Sequence, residues 1–255
     1  MSEDKYFLCS SGDSIAQIEE KEIAKDDFSP LIGLIPLMST SILLYISVSI
    51  VGSLTILQAL VMDRKLGPNF TIPASSMSVF TIITSILFVP LLVHVVYPMW
   101  HRLAHKQLTF LQRIGLGHLA DILALVTAAL IELKRREALS GSTEAMSVLW
   151  LVPALVLLGL GEALHFPSQL AFLYQELPNS LTNLGTGVIA LLFSIAFFMT
   201  TGVITLVRRI TPWLQDDTNR SRLDNVYWML TVVVTLNFCY FLICAKLYKT
   251  KAIEV

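Results

Sequence analysis

Charge is what this chain has least of. Only 15% of its 255 residues are Asp, Glu, Lys or Arg, against about 25% in a soluble domain. The net charge of −1 gives no reason to propose nucleic-acid binding, and no nucleic-acid partner is expected. Three cysteines, Cys9, Cys239 and Cys244, are too few and too scattered for a disulfide framework. Met1 to Asp27 lacks an apolar core behind a basic start, so it does not read as a signal peptide. There is no H-E-x-x-H, no P-loop and no G-x-S-x-G, so an enzyme is the poorest class and no cofactor is implied. What the chain does have is apolar length. Hydrophobic residues make up 55% of it, the mean hydropathy is +0.69, and a bilayer span needs about 20 apolar residues.

Six candidate spans follow: Leu31 to Leu57, Ile72 to Val96, Phe110 to Ile131, Met146 to Tyr174, Leu184 to Val207 and Val226 to Leu247. The expected fold class is all-α, a polytopic membrane protein. Residues 1–27 form a polar N-terminal segment, in which Ser14 to Asp27 reads equally as an amphipathic linker helix or a solvated linker. Residues 28–249 form the bundle, and 250–255 a short polar tail. The second span is the least regular, with Pro90, His94 and Pro98 near its end. The 18 Lys and Arg divide evenly between the two sides, so charge bias sets no orientation. Two N-x-S/T tripeptides, at Asn69 and Asn219, lie opposite the termini and favour cytoplasmic termini.

One span carries the chemistry. From Met146 to Gly161 no residue is charged; then Glu162 stands inside an apolar helix. A carboxylate at the centre of a span costs roughly 2.5–3.5 kcal/mol on insertion scales, so such a residue faces protein or a water-filled cavity. His165 and Gln169 follow at i+3 and i+7 on the same face. Pro167 beside them removes the bond to the Ala163 carbonyl and predicts a helix break. Gly159 and Gly161 leave room for a neighbouring helix. The stripe reads as a solute-binding face or as packing around a neutral Glu162. Ser41, Tyr45 and Ser49 give the first span a soft polar face. Glu162-x-x-His165 has the spacing of a di-iron helix, but that chemistry needs further buried acids, and none is expected from another span. His101 and His105 read as part of a solvated basic loop. Lys134, Arg135 and Arg136 read as a headgroup anchor, and Trp100, Trp213, Tyr227 and Trp228 as an interfacial aromatic belt.

Leu57 to Pro73 (LQALVMDRKLGPNFTIP), Leu111 to Gly117 (LQRIGLG), Ser147 to Pro167 (SVLWLVPALVLLGLGEALHFP), Trp213 to Trp228 (WLQDDTNRSRLDNVYW) and Cys244 to Lys249 (CAKLYK) together resemble the plant nitrate/peptide transporter family. This family is a proton-dependent oligopeptide transporter branch of the major facilitator superfamily, and GEALHFP is most similar to its nitrate-excretion subgroup. The resemblance covers Ser14 to Lys249 and implies the C-terminal six-helix bundle of a twelve-helix transporter. The family's E-x-x-E-R motif, expected on its first helix, does not occur here. The sequence is therefore expected to be a fragment or a truncated product.

The resemblance implies a proton-coupled solute transporter, for nitrate or a related small anion, rocking against a six-helix partner bundle. Cavity-facing residues would be Glu162, His165 and Gln169, with Tyr45 and Ser49 opposite. The sequence departs from the family at Val48, at Val93-His94 and at Thr182. Expected partners are the lipid bilayer, a small-molecule or anion substrate with protons, and the missing N-terminal half or a full-length relative. The rival reading is a membrane interaction protein without transport, pairing with or inhibiting a full-length transporter. The subgroup likeness implies the plasma membrane.

Overall fold

The computed structural model describes residues 33–141, 145–177 and 184–251, with side chains to Tyr248. The amphipathic stretch from Ser14 to Asp27, and Thr182, lie outside the described residues. Six helices long and apolar enough to cross a membrane occur among those described: α1 Gly33–Val61, α2 Ala74–Ala104, α3 Phe110–Gly141, α4 Val148–Glu176, α5 Leu184–Ile210 and α6 Leu223–Tyr248. The chain is a multi-pass membrane protein.

Helices α1, α3 and α4 are the most enclosed, while α2, α5 and α6 leave most of their apolar surface outward. Helix α3 packs mainly on α4 and α6, and α2 packs on α4. Hydrogen bonds fix α1 against several neighbours. Asn237 Nδ2 on α6 donates to the Thr40 carbonyl at 2.8 Å, and the Tyr45 hydroxyl donates to Gln169 on α4.

Helix α2 is irregular for a reason visible in its residues. Pro90 and Pro98 leave the Ile86 and His94 carbonyls without their usual donors. The helix widens into a π turn at Leu92–Val96 between the two prolines, the usual response to an interrupted ladder. It ends at His105, whose φ of 51° is left-handed. Pro167, by contrast, does not break its helix. Helix α4 runs on from Val152 to Glu176 with Pro167 inside, and Ser168, Gln169 and Phe172 after it stay buried. Packing against neighbouring helices holds the segment despite the missing donor.

Close approach depends on small residues. A Cβ on Gly159 would meet the Thr81 carbonyl oxygen of α2 at 2.6 Å, and one on Gly161 would meet Asp121 Oδ1 of α3 at 2.1 Å. The room expected beside Gly159 and Gly161 is therefore taken by two different helices.

One end of the bundle is tied by the connectors. The Asp63 amide donates to the Met146 carbonyl at 2.9 Å, and the Val148 amide donates to the Asp63 carbonyl at 2.8 Å. These bonds join the α1–α2 and α3–α4 connections. The basic run there is not a simple headgroup anchor. Helix α3 extends to Gly141, and Arg135 is buried, donating to both Glu132 oxygens at 2.8 and 2.7 Å. Gln58 donates to Glu132 at 2.6 Å, and the Tyr227 hydroxyl donates to Gln58 at 2.8 Å. Arg135 also donates to Asn219, and Arg136 to Asp224. Only Lys134 is exposed, over the Trp150 ring. Tyr227 thus belongs to the buried network and not to an aromatic belt.

Candidate functional site

Glu162 lies midway along α4, and its carboxylate is one acceptor within reach of the Ser85 hydroxyl. Ser85 Oγ is 3.2 Å from Glu162 Oε2 and 3.0 Å from each of the Gly159 and Thr81 carbonyls. One hydroxyl proton thus serves three acceptors, and Glu162 is half-buried. The carboxylate borders two cavities. The smaller, about 130 Å³, is lined by Tyr45, Asp121, His165, Phe166 and Phe193 besides Glu162. The second, about 170 Å³, lies towards α2 and includes Gly52, Thr55 and Thr81. Val48 borders both.

The residues singled out from sequence are distributed around this point. His165 is 1% exposed and lines the smaller cavity; neither of its ring nitrogens completes a hydrogen bond. Tyr45 lines it too, stacked on Phe193 with ring centroids 4.0 Å apart and edge-on to His165 at 5.6 Å. Gln169 does not line it. One turn further along α4, Gln169 accepts from the Tyr45 hydroxyl and donates to Ser41 at 2.9 Å. Its amide is used in aiming Tyr45. Ser49 is half-buried on α1 and is not among the lining residues; Val48 occupies that edge.

The residue that sequence reasoning missed is Asp121. Contrary to the expectation that no other span offers a buried acid, Asp121 is 3% exposed and lines the same cavity from α3. Its Oδ1 has no hydrogen-bond partner, and no Lys or Arg pairs with either acid among the described residues. His118 precedes it by three residues. His118 Nδ1 donates to the Ile114 carbonyl at 3.0 Å, leaving Nε2 buried and unpaired. The His118 and His165 ring centroids are 5.2 Å apart. The signal was present: His118-x-x-Asp121 puts an acid and a histidine on one face of α3, as Glu162-x-x-His165 does on α4. No group of three His, Cys, Asp or Glu side chains suited to a metal ion occurs among the described residues.

Six membrane-length helices with an acid and histidine cluster at mid-span define a polytopic membrane bundle, the architecture that the sequence resemblance implies. Comparison with known proteins makes this specific. A model of the POT family matches residues 4–229, and the chain belongs to that family. Protein NRT1/ PTR FAMILY 2.5 of Arabidopsis thaliana is 40% identical over 98% of this chain and 45% of its own length. Protein NRT1/ PTR FAMILY 2.7 of the same plant is 43% identical over 90% of this chain and 42% of its own length. The crystal structure of the POT family transporter PepTSo superposes with a TM-score of 0.71 at 21% identity, over 88% of this chain and 43% of that one. That likeness is one of fold. The chain spans about half the length of the curated relatives it matches.

Proposed function

We propose that this chain is one half of a proton-coupled solute transporter, carrying nitrate or a related small anion by alternating access against a six-helix partner bundle. The observation that carries the reading is Glu162, an acid at mid-span that borders two cavities and has no Lys or Arg partner among the described residues. An ionisable group at that depth is costly and is kept where it faces a pathway or a proton relay. Glu162, His165 and Tyr45 are the groups offered to substrate and proton. Gln169 and Ser41 hold Tyr45 in place. The outward apolar surfaces of α2 and α5 leave room for the partner bundle and lipid. The plasma membrane is the proposed address, with cytoplasmic termini.

The test is flux in cells co-expressing this chain with the N-terminal six-helix half of a relative. Glu162→Gln is expected to insert normally and to abolish anion flux or release it from the proton gradient. Flux that stays proton-dependent in that variant removes Glu162 from the mechanism.

A second reading, a membrane interaction protein that pairs with or inhibits a full-length transporter, draws on the outward apolar surfaces of α2 and α5 as docking faces. It predicts that co-expression with an intact relative lowers that relative's flux and that the two co-purify.

A further inference from the structure

We propose that Asp121 and Glu162 form a single proton-sharing acid pair, and that the cavity they line is a small hydrated chamber in which one proton is held between α3 and α4. The inference rests on the reading of Glu162 as the proton-linked acid and adds a second carboxyl to it.

Three separate observations converge. The first is position: the Asp121 carboxylate lies directly against Gly161, the residue before Glu162, with no space for a Cβ between them. The second is polarity without partners. Asp121 Oδ1, His118 Nε2 and both ring nitrogens of His165 are buried and unpaired, whereas buried polar groups are nearly always satisfied by protein or by ordered water. His165, 1% exposed, borders the cavity itself. The third is volume. A water needs about 10–15 Å³ of such space and two to four polar partners; the cavity measures about 130 Å³, and its wall supplies Asp121, Glu162, His165 and the Tyr45 ring.

The groups facing the pair from each packed helix explain why a proton is what neutralises it. Helix α1 contributes Tyr45, whose hydroxyl is already donated to Gln169. Helix α2 contributes the neutral Ser85 hydroxyl. Helix α3 adds His118, and α4 adds His165. Helix α5 presents Phe193, and α6 presents Phe241, stacked on His118 at 4.9 Å. No fixed cation stands among them. Two carboxylates lining one small cavity in apolar surroundings repel strongly, and a shared proton is the least costly way to neutralise the pair. Protonation adds one H⁺ taken from water to one carboxylate oxygen; release returns it to water, with no other bond made or broken. The two histidines offer lone pairs through which the proton can be passed along α3 and α4.

The test uses the whole chain in proteoliposomes and infrared spectroscopy of the carboxyl C=O stretch during pH titration, a readout independent of flux. Asp121→Asn and Glu162→Gln are each expected to remove one component of the protonated-carboxyl band. Each is also expected to move the titration midpoint of the surviving acid by about one pH unit or more, the mark of coupled sites. Carboxyl-¹³C aspartate in the unaltered chain should shift the Asp121 component without any substitution, so the result stands even where Asp121→Asn does not fold. The proposal is overturned by a labelled-aspartate spectrum with no titrating component in an apolar carboxyl position. An unmoved Asp121 midpoint in Glu162→Gln overturns it equally. A coupled pair in a chain whose Glu162→Gln flux remains proton-dependent would sink the transport role of Glu162 and leave the pair intact.

Discussion

Arg135→Ala is expected to destabilise the bundle by about 3–5 kcal/mol, the usual cost of removing one partner of a buried ion pair. Arg135 and Glu132 are 2% and 0% exposed at the side chain and bond through two contacts. The loss is not confined to that bond. Glu132 would remain as a buried carboxylate with Gln58 as its remaining donor, and Asn219 in the α5–α6 connection would lose its tie to α3. The change should appear as a marked drop in the unfolding midpoint of the protein in detergent. The double variant Arg135→Met with Glu132→Gln tests the cause. It removes both charges and keeps most of the volume, so it is expected to recover most of the stability. A double variant no better than Arg135→Ala would show that the arginine acts by shape and not by charge.

The second large effect is expected at Gly159. Gly159→Ala places a methyl 2.6 Å from the Thr81 carbonyl oxygen and 2.8 Å from Thr84 Cβ. The first of these is backbone of α2, which cannot rotate away as a side chain tip can. Overpacking of this kind costs about 1–3 kcal/mol. Moving α2 away also separates Ser85 from Glu162, so stability and any Glu162-dependent flux should fall together. Gly187→Ala is the control. Nothing lies within 4 Å of its new methyl, and replacing an exposed helical glycine should be neutral or gain roughly 0.5–1 kcal/mol. Equal melting behaviour of the two variants would mean that α2 and α4 do not pack through Gly159.

Several features were legible before any coordinates. The six spans follow from hydropathy, because a bilayer demands long apolar helices whatever they pack against. The irregular end of α2 follows from Pro90 and Pro98, which lack donors by covalent structure. Glu162 was conspicuous because a lone acid in an apolar run needs a reason. Asp121 sits in a similar run, Ile114 to Val126, yet the direction in which it points depends on how α3 is rotated against α4. From sequence, Arg135 reads as a headgroup anchor, because a basic triplet beyond an apolar span usually snorkels. Only the extension of α3 to Gly141, and the arrival of Gln58 from α1 and Asn219 from the α5–α6 connection, turn it inward.

The amino-acid sequence by itself determined that this is an all-α membrane bundle and, through motifs spread over most of its length, the family to which it belongs. Those properties depend on composition, local spacing and covalent constraint. The tertiary structure decided which polar residues meet. It set Asp121 beside Glu162, committed Gln169 to Tyr45, left Ser49 off the cavity wall and buried Arg135. The physical reason is that a helix sequence defines its faces but not their partners. Which face turns to protein and which to lipid is chosen when glycine contacts and hydrogen bonds fix each helix's rotation against its neighbours.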